Sequence, residues 1–338
     1  MLKKEYINLF KDSKYPKFIN KYLKTKSLKR LKYITYFCGC DYTKMYNPLF
    51  CYSRYDHSLV VAHMTWHFTH DKKETIAALL HDIGTPAFSH VIDYVLGDYL
   101  NQESSEIKLS DQIKKDEKLI KLLNSDGFEI TDFDDLSKYR ILENKKPSLC
   151  TDRLDGVLST CYIWICKNSK DEIKEVYDNM VVLKNEHKYN EIGFKNINIA
   201  YKFSKMVYYY ATEVQSNRDK FTMQYISDVI KESINKKLFD INYLYNCKEK
   251  DLIKIIKKNF STFKIFESAT KIQTSNKKPN CYYVSINTKK RNTIPLVNVN
   301  NMTDRIINVS KKANTLYQKY NDYKPLKYVF LKNIKEII

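Results

Sequence analysis

His81 and Asp82 lie side by side at the end of an apolar run, Thr75 to Leu80, within the string AALLHDIGTPAFSH. An imidazole and a carboxylate closing a buried helix need a partner, because an unpaired charge is costly to bury. A divalent cation satisfies one neutral nitrogen and one anionic oxygen together. Two further residues stand in suitable settings to share it: His57, opening the stretch HSLVVAHMTWHFTH, and Asp152, at the start of TDRLDG. His57, His81, Asp82 and Asp152 are therefore the candidate ligands of one divalent ion. Two histidines with two carboxylates suit Mn, Fe, Mg or Zn alike. Taken singly, each has a plainer reading, His57 as a hydrogen-bonded core residue and Asp152 as a helix N-cap. His63 and His67 stand at the i, i+4 spacing of a helical zinc pair, and His67 and His70 at i, i+3, but no HExxH pattern accompanies them. They are read as helix-surface histidines.

Such a site requires helix ends that converge. Residues 17–36 carry apolar positions at helical spacing. A loop broken by Gly39 and Pro48 follows, then a helix opening at His57 with Asp56 or Ser58 near its start. A second helix is expected over about 72–82, ending at Gly84-Thr85-Pro86, and a third from Ala87 through Tyr99. Residues 101–150 read as short helices and loops, with local acidic clusters (Asp132, Asp134, Asp135). A long apolar helix is expected from Thr151 to Cys166, and 195–260 is helical again. Residues 281–298 alternate like two strands around a Lys-Lys-Arg-Asn turn, and the last segment mixes a helix over about 302–320 with a strand at Lys327–Phe330.

The composition agrees with a mainly α chain: 338 residues, 43% hydrophobic, with only 6 Gly and 7 Pro. The 58 Lys and Arg against 39 Asp and Glu give a net charge of +19. That charge suits a polyphosphate substrate or nucleic acid. It is scattered along the chain, and heavy use of Lys, Asn, Ile and Tyr also fits an AT-rich coding sequence. No run of about 18 apolar residues points to a membrane span, and the N-terminus lacks the apolar stretch of a signal peptide. The 8 cysteines form no CxxC pair, so reduced thiols in the cytoplasm are expected. Among the 28 tyrosines, Tyr208-Tyr209-Tyr210 could stack bases, but helical spacing favours core packing or a subunit interface.

Several blocks in order resemble the HD-domain phosphohydrolases, and within them the deoxynucleoside triphosphate triphosphohydrolase branch. KSLKRLKYITYFCGCDY (26–42) is similar to that branch's Arg-Leu-rich helix leading into a Gly-rich loop. SRYDHSLVVAH (53–63) resembles its Arg-x-x-His-Ser-Leu motif, AALLHDIGTPAFSHVID (77–93) its His-Asp-x-Gly-His-x-Pro-Phe-x-His motif, and TDRLDG (151–156) its late Asp-Lys/Arg-x-Asp motif. The resemblance implies that His57, His81, Asp82 and Asp152 are metal ligands and that Arg54 and Arg153 contact substrate phosphates. It places His90 and Asp93 as the leaving-group acid and its partner. Their i, i+3 spacing puts both on one helical face. Four departures from the pattern touch substrate recognition. Thr85 replaces a phosphate-contacting His, Gln102 precedes Glu103 where a second His is usual, Tyr36 replaces a sugar-contacting Gln, and Gly156 replaces a Tyr. Tyr36, Thr85, Gln102 and Glu103 are expected to line the substrate.

The implied architecture is an HD-domain helical core with a smaller C-terminal α+β region, divided as a metal-dependent phosphohydrolase core over 1–190 and a helical and β-hairpin region over 191–338. The implied reaction is cleavage of a dNTP to deoxynucleoside and tripolyphosphate with one divalent ion, in a cytoplasmic homo-oligomer that spans no membrane. The alternatives are an HD hydrolase acting on another nucleotide or on single-stranded nucleic acid, and a catalytically weakened nucleotide-binding protein.

Overall fold

The computed structural model describes residues 1–12, 14–100, 109–287 and 289–337. The helices that matter are α1 (Leu2–Leu9), α2 (Lys26–Leu31), α3 (Arg54–Thr69), α4 (Lys72–Leu80), α5 (Val91–Leu96), α6 (Thr151–Thr160), α7 (Ile197–Glu213), α8 (Asn217–Asn235), α9 (Glu249–Asn259) and α10 (Lys311–Asn321). Among the described residues, seven short strands occupy the C-terminal part: β1 (Met180–Lys184), β2 (Asn190–Phe194), β3 (Gln273–Ser275), β4 (Tyr283–Val284), β5 (Leu296–Val299), β6 (Met302–Arg305) and β7 (Tyr328–Phe330). The fold is mainly α with a smaller α+β region, as the sequence predicts.

The central helix, α3, begins at Ser53. The Ser53 hydroxyl accepts from the Asp56 amide at 3.2 Å, and Asp56 accepts from the Ser53 amide at 3.0 Å. This reciprocal cap satisfies two otherwise orphaned donors, and it places His57 one turn inside the helix rather than at its opening. α3 is apolar on more than one side. Val60 and Met64 join the larger hydrophobic core, while Val61 and Ala62 join a second core with Ile76–Leu80 of α4 and Leu28 and Leu31 of α2. α3 is thereby held between two packed layers.

Four local expectations change. Residues 17–36 form two short helices, Ile19–Tyr22 and Lys26–Leu31, because Thr25 leaves helical geometry and its hydroxyl bonds the Tyr22 carbonyl at 2.7 Å. The helix expected from Ala87 to Tyr99 is confined to α5. Phe88 and Ser89 take left-handed backbone (φ 60° and 51°), and Gly97 (φ 80°) ends the helix. The hairpin expected over 281–298 does not form. β4 pairs with β7, whereas β5 runs parallel to β2 and antiparallel to β6. Alternation marks a half-buried strand but leaves its partner open. The start of the helix expected over 302–320 is β6, and α10 follows it. A hairpin missed in the sequence, β1–β2, heads a four-stranded sheet of order β1-β2-β5-β6 beside a three-stranded sheet β3-β7-β4. The 190/191 division falls inside β2.

Gly39 serves the site directly. Its φ is +86°, and a Cβ there would stand 2.4 Å from the Ile226 side chain and 3.1 Å from Phe88. Only glycine lets the Phe88 turn and α8 approach the loop before Asp41 this closely.

Candidate active site at converging helix ends

Three helix ends meet. His57 of α3 is fully buried, and its Nε2 lies 3.0 Å from Oδ1 of Asp152, the second residue of α6. The same nitrogen lies 3.2 Å from Nε2 of His81, the residue that caps α4. One ligand atom from each of His57, His81 and Asp152 lies within 4.8 Å of the others.

The second nitrogen of each ring decides what this cluster can hold. His57 Nδ1 faces Asp155 Oδ2 at 2.6 Å, and His81 Nδ1 faces the Ala78 carbonyl at 2.7 Å. Carboxylate and carbonyl only accept, so the proton of each neutral ring is assigned to Nδ1. Both Nε2 lone pairs then point at one another beside a carboxylate oxygen. A cation between them would turn this repulsion into coordination, with Asp155 as the outer partner that fixes the tautomer. Without a metal, protons take that role. Burial opposes a charge on His57, but hydrogen bonds to Asp152 and Asp155 raise it to about 9.

Asp82 stands beside this trio. Its Oδ2 is 3.8 Å from His57 Nε2 and 3.7 Å from His81 Nε2, and it accepts from Arg54 Nη1 at 3.0 Å. Burial alone would raise this carboxyl; Arg54, His81 and His57 instead hold it below the usual range. The Thr85 hydroxyl donates to Asp82 Oδ1 at 3.0 Å. Thr85 is thus buried behind Asp82 and is absent from the cavity lining, unlike the substrate contact the resemblance implies.

His81, Asp82 and Asp152 line a cavity of about 540 Å³, which His90, Tyr36, Arg54 and Arg153 also line, while His57 is buried beneath it. His90 Nδ1 lies 3.0 Å from Asp93 Oδ2, and Asp93 is fully buried. Burial lowers the His90 pKa; the Asp93 hydrogen bond opposes this, and the nearby Arg54 and Arg291 charges add to the lowering. Tyr36 packs its ring 4.7 Å from the Arg54 guanidinium carbon and 4.6 Å from the His57 ring. A Cβ on Gly156 would stand 3.0 Å from the Tyr36 hydroxyl, so the tyrosine at 36 packs closely against the small residue at 156. Arg153 lines the cavity, but its guanidinium is already engaged by Glu143, Asn144 and the Ser148 carbonyl. Gln102 and Glu103 lie outside the described residues.

Several groups in and behind the cavity were missed in the sequence. Asp155 was detectable as an acid three residues after Asp152. Lys145, Lys146, Lys289 and Arg291 gather at the cavity from two distant segments, with no local signal. Lys146 Nζ bonds the Lys290 carbonyl at 3.1 Å, bridging them. Partial burial and the Lys289 and Arg291 charges lower Lys146 to about 8. Phe37, Trp164 and Tyr210 also line the cavity, together with Asp219, which burial and Glu213 push up to about 8. His63 corrects an expectation. It is buried rather than on the helix surface, with neither ring nitrogen hydrogen-bonded.

Residues 54–139 match the family described as HD domain. That region contains His57, His81, Asp82, His90 and Asp93. Over 142 residues the chain is 32% identical to the uncharacterized protein YdhJ of Bacillus subtilis, a match spanning 41% of this chain and 42% of the relative. A crystal structure of a hypothetical protein from Aquifex aeolicus shares the fold, with a TM-score of 0.54, 16% identity, and coverage of 92% of this chain and 91% of that one. Among the described residues, no helix is long and apolar enough to cross a membrane.

Proposed function

We propose that the protein is a metal-dependent phosphohydrolase that cleaves a dNTP to deoxynucleoside and tripolyphosphate. The observation that supports the reading is the convergence of the His57 and His81 Nε2 atoms with Asp152 beside a cavity that His90, held by Asp93, also lines. His57, His81 and Asp152 would hold one divalent ion, with Asp82 alongside. Such an ion supplies positive charge at a phosphoryl oxygen and acidifies water for attack on phosphorus.

The remaining steps belong to the chain's own residues. Arg54 lies against Asp82 and faces the cavity, where it offsets charge that builds on the phosphoryl oxygens. Lys145, Lys146, Lys289 and Arg291 supply charge for further phosphates. Phe37, Trp164 and Tyr210 offer apolar surface for a base. His90 is the candidate donor to the departing 5′-oxygen, oriented through Nδ1 by Asp93. In the free site its pKa is lowered partly by Arg54 and Arg291; an entering polyphosphate offsets those charges and favours the protonated ring. Attack of water on the α-phosphorus breaks the bond to the 5′-oxygen, which takes the His90 proton. The lysine-lined rim supports a second reading, hydrolysis of another nucleotide or of a single-stranded nucleic-acid end.

Incubation with Mn²⁺ and a panel of dNTPs, NTPs, monophosphates and labelled single strands tests both. Tripolyphosphate from dNTPs supports the first reading and shortened strands the second. No phosphorus-containing product from any of them refutes the hydrolase assignment. Asp152→Ala is expected to lose metal uptake, measured by elemental analysis of the purified protein.

A further inference from the structure

One buried carboxylate outside the matched region ties the C-terminal half to the site. Glu249, the first residue of α9, is fully buried. Its Oε1 accepts from the Thr35 hydroxyl at 2.7 Å, and its Oε2 accepts from the Thr35 amide at 3.0 Å and the Phe88 amide at 3.2 Å. The Glu249 amide in turn donates to the Tyr33 carbonyl at 3.2 Å. From Thr35 the contacts continue inward. The Thr35 carbonyl accepts from the Ser89 hydroxyl at 3.1 Å, Ser89 Oγ accepts from Arg54 Nε at 2.9 Å, and Arg54 Nη1 donates to Asp82 at 3.0 Å.

The two segments that Glu249 holds both lead directly into the cavity. Thr35 precedes Tyr36, and the Phe88-Ser89 turn precedes His90. That turn keeps two non-glycine residues in left-handed backbone, a conformation that persists only where the surroundings impose it. Glu249 on the Phe88 amide, and Thr35 and Arg54 on the Ser89 hydroxyl, supply that constraint.

We propose that Glu249 is a positioning residue, setting the Tyr36 and His90 segments and, through Thr35, Ser89 and Arg54, the orientation of Asp82. Its kinetic consequence rests on the hydrolase reading above; its structural consequence does not. Alanine at 249 orphans two amides and a hydroxyl. Glutamine preserves the arrangement, with its oxygen toward the two amides and its NH₂ toward the Thr35 hydroxyl, which can accept.

The test compares Glu249→Ala, Glu249→Gln and Ile256→Ala, the last a buried apolar change on the same helix, as a stability control. Amide exchange over residues 84–93 is followed by mass spectrometry, alongside turnover of the best substrate. Glu249→Ala is expected to speed exchange there by at least about tenfold and to lower kcat by about 10–100-fold with KM little changed, the scale of a slightly misplaced reacting group. Glu249→Gln is expected to restore both, and Ile256→Ala to leave 84–93 protected. Should Glu249→Ala not fold, Thr35→Val and Ser89→Ala, which each remove one hydroxyl from the chain of contacts, are read in the same way. Unchanged protection of 84–93 in the folded Glu249→Ala or Thr35→Val protein overturns the proposal, as does equal loosening by Ile256→Ala. If the wild-type protein hydrolyses nothing, the hydrolase reading falls while the exchange measurement still decides the role of Glu249.

Discussion

Asp155→Asn tests the metal site through a residue that touches no proposed substrate. The Asp155 carboxylate is fully buried; it takes His57 Nδ1 at 2.6 Å and the Tyr52 hydroxyl at 2.9 Å on Oδ2, and the Tyr6 hydroxyl at 2.7 Å on Oδ1. Asparagine has nearly the same shape but one accepting oxygen. If that oxygen faces His57, the tautomer survives without the negative charge that strengthens the ring as a ligand. If the NH₂ faces His57, Nδ1 must accept, the proton moves to Nε2, and one ligand is lost. Either arrangement weakens coordination. Loss of such an outer partner costs about 10–100-fold in metal affinity, or about 1.4–2.7 kcal/mol. Calorimetric titration of metal-free protein with Mn²⁺ reads this directly, with thermal unfolding as a check that the variant is folded. Tyr52→Phe, which removes one donor and leaves the charge, is expected to weaken binding less. A folded Asp155→Asn protein that binds Mn²⁺ as tightly as wild type refutes the tautomer argument, and with it the claim that the two Nε2 lone pairs define the site.

His90→Ala is expected to retain metal and to slow turnover by about 10²–10⁴-fold; full activity would remove His90 from the mechanism. The pH profile adds a sign. Because burial, Arg54 and Arg291 hold His90 below 6.5 in the free site, kcat/KM is expected to fall as pH rises through a limb below 6.5. Bound phosphate shifts the corresponding kcat limb to higher pH. His63 makes a stability prediction. Burial lowers its pKa from 6.5 to about 4, so the unfolded chain binds the extra proton between those values. Stability is then full above pH 6.5 and falls by about 3 kcal/mol as pH drops toward 4. Denaturant unfolding of His63→Leu is expected to show a flatter acid limb, and an unchanged one would contradict the burial argument. Gly156→Ala is expected to raise KM by crowding Tyr36, an effect that Tyr36→Phe partly reverses; additive effects in the double variant would dismiss the coupling.

His81 and Asp82 were legible from residue type and position, because a histidine and an aspartate at the closing turn of an apolar helix have few inexpensive fates; His57 and Asp152, near helix starts, joined them only through the resemblance of their local strings. They also showed a mainly helical chain, since hydrophobic periodicity is local. The chain contacts that position these residues were not legible. Glu249 meets Thr35 across 214 positions of sequence, and Lys146 meets the 289–291 segment across 144. No periodicity records such distances. The Phe88-Ser89 turn breaks a helix its composition would allow, because packing against Gly39 and α8 outweighs local preference. The strands β4 and β5 found partners far away in sequence, β4 beside β7 against α8 and β5 beside β2 against α7. Sequence alone determined which side chains could bind a cation and that helices would carry them. Tertiary packing decided which three converge, that Asp82 stands beside them held by Arg54, that Thr85 lies behind Asp82, and what surrounds the cavity. Local chemistry is written in neighbouring residues, whereas convergence depends on long-range burial.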